Sequence, residues 1–390
     1  MKQKIKVAFF AETLQKNYDG AVRTMYQIIQ RIPSDQFEFL FICGDDIVAS
    51  LPFRTISLPS VYIPFNRNYK ITIPFLSNHW LTKQLDIFQA DVIHIATPSP
   101  LGNFALNYAK TRQVPSLSIY HTHFIAYVNY YLQQAPVLIK PIKNHLIKKY
   151  ITFYDACDLV YIPTLEMENA LSQIGHQTSH FKRWKRGIDN QLFHPSKRNK
   201  QWLQQRIGNT KPIVLFASRL VWEKNLEVLI DLYQLNMQQN NPYNIVVVGD
   251  GVAMDTLKQK MPNAYFFGQV EHQELATIYA SADIFFFPSI TETYGNVVVE
   301  AMASGLPCVI ANGGGSKSFI TQGQNGFVCS PNDANEYFDK ITQLLSNENL
   351  YQQFVKEGLL YTENMSWDQL VNTYFKDLVL LSNTQKRLAV

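Results

Sequence analysis

The stretch Ile213-Val214-Leu215-Phe216-Ala217-Ser218-Arg219-Leu220-Val221-Trp222-Glu223-Lys224-Asn225 decides the fold. It opens on five apolar residues with no polar alternation, which reads as a strand covered on both faces. Ser218 to Asn225 is a charged loop, and Leu226–Leu235 returns to helical spacing. Strand, loop and helix in that order are the unit of a parallel sheet.

The same rhythm runs outward in both directions. Asn244–Val248 is a strand ending in Gly249-Asp250-Gly251, and Ile284–Pro288 and Pro307–Ala311 are two more. In the first half Ile5–Ala11 is a strand followed by the loop Glu12–Gly20. A helix follows, with Val22, Met25, Tyr26 and Ile29 at i, i+3, i+4 and i+7, continued by Ile32 and stopped by Pro33. Phe37–Cys43, Asp91–Ala96 and Val114–Tyr120 read as strands, with Leu101–Lys110 helical between two of them. The expectation is an α/β chain of two units. Between them His194–Lys211 is polar, basic and rich in Gln and Asn, and reads as a linker or surface helix. The tail Trp367–Leu381 carries Leu370, Tyr374, Leu378 and Leu381 at helical spacing.

Composition bounds the rest. The chain has 390 residues, 46% hydrophobic and 17% charged, which excludes a disordered chain. Net charge is +4, mildly basic, which permits contact with phosphates or an anionic membrane. Cys43, Cys157, Cys308 and Cys329 are far apart in the sequence, so no zinc or redox motif is readable. Ile5–Ala11 is cut short by Glu12, so no signal peptide is expected, and no apolar run approaches the ~20 residues of a membrane span. The expected location is the cytoplasm.

Four constellations can carry chemistry. Arg219 offers a planar fork of donors and Lys224 a mobile ammonium, and together with helix N-terminal amides they suit a diphosphate. The alternative is a solvated loop that pairs Arg219 or Lys224 with Glu223. Glu292 and Glu300 are carboxylates eight residues apart, after another buried strand. A helix from about Asn296 to Ser304 would set the amides of Gly295, Asn296 and Val297 toward an anion. Val297–Val299 is a β-branched run that opposes such a helix, and a buried strand with two surface acids is the alternative. Tyr120-His121-Thr122-His123 follows a strand. His121 and His123 could share a metal, but no third ligand is spaced to help, and a single His as the polar group of a site is the simpler reading. Asp19-Gly20-Ala21-Val22-Arg23 places Gly20 where backbone can approach a ligand closely, or at a plain loop-to-helix turn. Gly249-Asp250-Gly251 lacks the last glycine of a dinucleotide fingerprint, with Met254 in its place.

Taken together these residues resemble the retaining glycosyltransferases of the GT-B fold in the family numbered four, the E-x7-E enzymes. The carriers are Ser-Arg-Leu-x-x-Glu-Lys-Asn from Ser218, Val-Gly-Asp-Gly from Val248, Phe267-Gly268 and Ala-Asp-Ile-Phe-Phe-Phe-Pro-Ser from Ala282. With them come Glu-Thr-Tyr-Gly-Asn-x-x-x-Glu-Ala-Met-Ala-Ser-Gly-Leu-Pro from Glu292, Asn325–Phe327, and Arg-Gly-Ile-Asp from Arg186 with Phe193 and Pro195. In the first half, Asp-Gly-Ala-Val-Arg-Thr from Asp19, Asp-Val-Ile-His-Ile-Ala-Thr-Pro from Asp91 and Tyr120-His121-Thr122 resemble the bacterial α-mannosyltransferases and the sulfolipid and galactolipid synthases.

The resemblance implies two Rossmann-like parallel-sheet domains facing a central cleft. They would run over 1–193 on the acceptor side and 194–365 on the nucleotide-sugar side, with 366–390 a helix crossing back to the first. It implies transfer of a hexose, with retention, from a UDP- or GDP-linked sugar to a hydroxyl acceptor, a lipid or lipid-linked glycan included. Arg219 and Lys224 would hold and neutralise the diphosphate, Glu300 the ribose. Glu292 and the amides of Gly295, Asn296 and Val297 would hold the sugar and phosphate. His121 would face the sugar, and Gly20 would let the first loop approach the phosphates and acceptor. No metal or cofactor is required on this reading, because Arg219 and Lys224 carry the positive charge, and nucleic acid is not an expected partner. A non-catalytic or epimerase-like relative that binds the same sugar nucleotide is the alternative.

Two stretches of the first half suit an acceptor or a membrane. Ser57–Ile73 is aromatic and Pro-containing, with Arg67 and Lys70. Val137–Tyr150 sets Leu138, Ile142, Leu146 and Tyr150 at i+4 steps among Lys140, Lys143, Lys148 and Lys149, the pattern of a basic amphipathic helix on an anionic membrane. An ordinary surface helix packed on the core is the other reading, and Pro141 disturbs the pattern.

Overall fold

The computed structural model describes residues 3–15, 20–44, 51–63, 66–121, 125, 128 and 136–388. Two compact units are present. Of the described residues, the first holds those up to Ile125, Pro136–Lys185 and the segment from Asp368 on, and Val128 and Arg186–Trp367 belong to the second.

The first unit is built on a seven-stranded sheet ordered β3-β2-β1-β6-β7-β8-β9. The strands are β1 (Ile5–Phe10), β2 (Phe37–Gly44), β3 (Arg54–Leu58), β6 (Val92–Ile95), β7 (Ser116–Ile119), β8 (Leu159–Ile162) and β9 (Phe181–Arg183). Every pairing in it is parallel. The run Ser57–Ile73 gives, after β3, an antiparallel hairpin of β4 (Ser60–Ile63) and β5 (Asn66–Thr72) outside that sheet. The Thr72 N–H donates to Glu12 at 2.6 Å, and Lys70 lies over the exposed Tyr62 ring at 4.9 Å. The Arg67 side chain lies outside the described residues.

The second sheet is ordered β12-β11-β10-β13-β14-β15 and is also parallel throughout. Its strands are β10 (Ile213–Ala217), β11 (Asn244–Val248), β12 (Tyr265–Gly268), β13 (Ile284–Phe287), β14 (Cys308–Ala311) and β15 (Gly326–Cys329). All residues of β10, β11, β13 and β14 are buried. This is why these strands are apolar without alternation: helices cover both faces.

The stretch His194–Lys211 is no linker. Asn199 caps a helix over Lys200–Ile207, and Leu203 and Ile207 from it enter the second unit's core. The chain instead enters that unit at Arg186, ahead of the 193/194 boundary expected from the sequence. The reason is local: Ile188 and Phe193 pack in the second core, and the Ile188 N–H donates to the Met365 carbonyl at 2.9 Å.

From Asp368 the helix Trp367–Leu388 seals the first unit. Tyr374 hydrogen-bonds Nδ1 of His94 at 2.8 Å, with His94 stacked on Phe9. Burial pushes the His94 pKa down to about 3, so its ring is neutral at pH 7. Asp377 accepts from the Tyr161 hydroxyl at 2.5 Å and from Lys182 at 2.7 Å. Among the described residues no helix is long and apolar enough to cross a membrane.

Candidate active site

In an open parallel sheet, ligands bind outside the carboxyl ends of the strands where the order reverses, because neighbouring loops there diverge to opposite faces. In the second unit that point lies between β10 and β13, which pair directly at Val214–Ile284 and Leu215–Phe285. The loops leaving these two strands are Ser218–Asn225 and Pro288–Gly295, the two charged constellations.

The first loop is held from behind. Ser218 and Leu220 donate their N–H groups to the carbonyls of Val248 and Asp250 at 3.0 and 2.9 Å. A Cβ on Gly249, at φ 127°, would stand 1.9 Å from the Ser218 carbonyl oxygen. The Gly249-Asp250-Gly251 turn is therefore a backbone support on either side of Arg219, whose own side chain is exposed. The same turn carries no dinucleotide signature, and the geometry gives it this work instead.

Lys224 reaches across to the second loop and donates to the Glu292 carboxylate. This settles the alternative pairing with Glu223 for Lys224. The two side chains are only 5% and 18% exposed, so the pair is largely withdrawn from water. Burial by itself would raise the Glu292 pKa. The charge and hydrogen bond of Lys224 oppose it, with Arg219's charge and the Ser289 hydroxyl, and together hold the carboxyl below its ordinary value. Glu292 is an anion at neutral pH, and Arg219 is close enough to feel it.

Gly295 caps the helix Asn296–Ala303 at φ 91° and ψ 54°. A Cβ there would lie 2.6 Å from Cβ of Ser316, so both backbone conformation and space call for glycine. The Gly315 N–H donates to the Glu292 carbonyl at 2.6 Å. Asn296 and Val297 open the helix, where first-turn amides have no helical acceptor and the dipole is positive. Val298 and Val299 are 0% and 2% exposed, and that packing offsets the weak helix propensity of the valine run. Glu300 is buried in the body of this helix rather than at a surface.

Gly20 and His121 belong to the first unit. Gly20 opens the helix Gly20–Ile29, and its carbonyl accepts from the Thr24 hydroxyl at 2.9 Å. His121 follows the carboxyl end of β7 by two residues and is 5% exposed. Asp19 and His123 lie outside the described residues. Among the described residues no cluster of three or more His, Cys, Asp or Glu side chains could hold a metal ion.

Two family models match this chain. The one described as Glycosyltransferase Family 4 covers residues 18–192, and the one described as Glycosyl transferases group 1 covers residues 197–360. The chain belongs to the family 4 glycosyltransferases. The GDP-mannose-dependent alpha-mannosyltransferase of Corynebacterium glutamicum is 26% identical over 97% of this chain and 90% of its own length. The sulfoquinovosyl transferase SQD2 of Arabidopsis thaliana is 31% identical over 80% of this chain and 61% of its own length. The Anabaena protein HepE, solved in complex with UDP and glucose, superimposes with a TM-score of 0.73 at 18% identity, over 96% of this chain and 99% of that one. The fold is the GT-B fold, two Rossmann-like parallel-sheet units.

In this family 4 glycosyltransferase, further residues brace the site, and their spacing in the sequence assigns them no such role. The Thr291 hydroxyl donates to the Glu223 carbonyl at 2.9 Å. The Asn225 amide donates to the carbonyls of Pro288 and Pro331 at 3.2 and 2.8 Å. The Tyr294 hydroxyl donates to the Arg186 carbonyl at 2.8 Å, and the Arg186 guanidinium stands 5.3 Å from the Tyr294 ring centre. The sequence does show Gly313-Gly314-Gly315, whose close approach to Ile290–Tyr294 is a tertiary fact.

Proposed function

We propose that this chain moves a hexose, with retention, from a UDP- or GDP-linked donor to a hydroxyl acceptor on a lipid or a lipid-linked glycan. The observation that carries the reading is the Lys224–Glu292 pair beside Arg219, at the carboxyl ends of the two switch-point strands. Breaking the bond between sugar and diphosphate leaves negative charge on the departing nucleotide. Cations fixed in advance stabilise that charge most effectively, since they need no reorganisation during the reaction. An ammonium carries three N–H donors, so Lys224 can keep Glu292 on one and take a phosphate oxygen on another.

In this reading Arg219 and Lys224 hold the diphosphate, and the amides of Gly295, Asn296 and Val297 take a phosphate or sugar oxygen. Glu292 orients the donor sugar, and Glu300 binds the ribose. His121 and Gly20 are assigned the sugar and phosphate contacts that the family resemblance implies, on the strength of their motifs. The departing diphosphate serves as the base for the acceptor hydroxyl. The GDP-mannose dependence named for the Corynebacterium relative, and the UDP and glucose held by HepE, support a nucleoside diphosphate donor.

A lipid-side acceptor is supported by the helix Pro136–Tyr154. It has no acidic residue, and its Lys140, Lys143, Lys148 and Lys149 accompany exposed Val137, Leu138 and Ile142. Its other end packs inward through Tyr150, Phe153 and Tyr154.

The test is nucleotide release from UDP-glucose, UDP-galactose and GDP-mannose, with and without an extracted lipid fraction, and the anomeric configuration of any product by NMR. Release with retained configuration is the expected result. Nucleotide binding without turnover of any donor would favour the non-catalytic alternative, and inverted configuration would overturn the mechanism.

A further inference from the structure

We propose that Asn225 is a positioning residue that sets Lys224 on Glu292. Its consequence for catalysis rests on the function proposed above, whereas its structural part does not. Asn225 has φ 58° and ψ 47°, in the left-handed region that Asn tolerates better than most side chains. Its N–H closes the turn Trp222–Lys224 by donating to the Trp222 carbonyl at 3.0 Å. The helix Leu226–Gln238 starts at the next residue. One residue thus ends the turn that carries Lys224 and launches the helix behind it.

The side chain does the remaining work. Its two amide hydrogens reach the carbonyls of Pro288 at 3.2 Å and Pro331 at 2.8 Å. Pro288 directly follows β13 and opens the loop of Glu292, while Pro331 lies just beyond β15. On the other side of Lys224, the Glu223 carbonyl accepts from Thr291 in the same loop as Glu292. Lys224 therefore sits between two residues that are each fastened to the segment 288–291. Nothing along the lysine stem provides such fixing, since it is a flexible chain of four carbons. The fastening matters because the pair is largely out of water. A Lys224 displaced from Glu292 would leave two poorly solvated charges apart, which a buried site does not tolerate.

The choice of Asn follows from these demands. Gly would adopt the same backbone and leave both carbonyls without a donor. Asp would also adopt it and turn a carboxylate oxygen toward them. Asn225 touches no reacting atom on this account and acts through Lys224.

The experiment uses the full chain, with Asn225→Gly, Asn225→Asp, Glu292→Gln and the Asn225→Gly, Glu292→Gln double variant. Thermal midpoints at pH 7 close a double-mutant cycle. Asn225→Gly is expected to lower the midpoint by about 3 °C in the native background, and by half of that or less once Glu292 is already Gln. With UDP-glucose or GDP-mannose as donor, kcat should fall roughly tenfold to a hundredfold, with donor KM changed less. The acid limb of the kcat profile should move to higher pH in Asn225→Gly, because Glu292 loses the cation that lowers its pKa. Asp at 225 should do no better than Gly. Equal midpoint losses in both backgrounds, with kcat and the acid limb unmoved, would overturn the proposal and leave Asn225 a plain loop tie. A native chain inert toward both donors would sink the proposed function, and the thermal cycle would still decide the positioning role.

Discussion

Lys224 and Glu292 form one hydrogen-bonded ion pair, although 67 residues separate them in the chain and each leaves a different strand of the second sheet. The pair exists because β10 and β13 are direct neighbours at the point where strand order reverses. Its low exposure makes it sensitive to the loss of either member.

Replacing Arg219 or Lys224 by Ala should each lower kcat by about 10²-fold or more, the scale found when one preorganised charge-stabilising donor is removed. Nucleotide release from UDP-glucose and GDP-mannose measures it. Full activity in both Ala variants would remove these residues from the donor site.

The pH dependence of stability has a definite sign. Glu292 in the folded chain titrates below its unfolded value of about 4.3. Its contribution is therefore complete above the unfolded pKa and lost as pH falls through the folded one. The thermal midpoint of the native chain should fall more steeply than that of Glu292→Gln as pH drops below about 4. Parallel curves from pH 6 to 3 would show that the carboxyl is not held by Lys224.

Gly295→Ala places a side chain at φ 91°, with its Cβ 2.6 Å from Ser316. The strained backbone alone costs of order 1–3 kcal/mol. Urea unfolding should show a lower midpoint, and donor KM should rise because the start of the helix Asn296–Ala303 is displaced. An unchanged midpoint together with an unchanged KM would contradict the geometry.

Asp377→Ala should destabilise the first unit by about 1–3 kcal/mol, since it strands the Tyr161 hydroxyl, which is 0% exposed, without an acceptor. Lys182, the more exposed partner, contributes little to this loss. Asp377→Asn keeps an acceptor and should cost less. Urea unfolding compares the two, and equal losses would point away from the Tyr161 bond.

For the basic helix, co-sedimentation with anionic vesicles at low salt is the expected behaviour. Raising the salt should weaken it by screening, and it should be lost when Lys140, Lys143, Lys148 and Lys149 are replaced by Gln. Failure to bind at low salt would detach this face from any membrane role.

Much of the fold is legible because buried parallel strands must be apolar on both faces, so β10, β11, β13 and β14 announce themselves as unbroken runs. The hairpin of β4 and β5 was not, since its exposed Val61 and Tyr62 look like any apolar pair in sequence. The unit boundary was misplaced for a related reason. His194–Lys211 draws the eye as the polar connection, yet Ile188 and Phe193 ahead of it are taken up by the second core. In the site, the charged members were visible through their spacing after strands. The supports were not, because Asn225, Thr291 and the Gly313–Gly315 turn act through backbone carbonyls and close approach, which carry no sequence period.

By itself, then, the sequence determined the α/β rhythm, the two-unit plan and the candidate charges Arg219, Lys224, Glu292 and Glu300, since local hydrophobic pattern and motif spacing are properties of neighbouring residues. Only the tertiary structure decided that Lys224 pairs with Glu292 rather than Glu223, that Gly249–Gly251 braces the Arg219 loop, and that Asn225 ties its own loop to the segments following β13 and β15. Those relations depend on which strands lie side by side, and strand order is set by packing of the whole sheet rather than by any one segment.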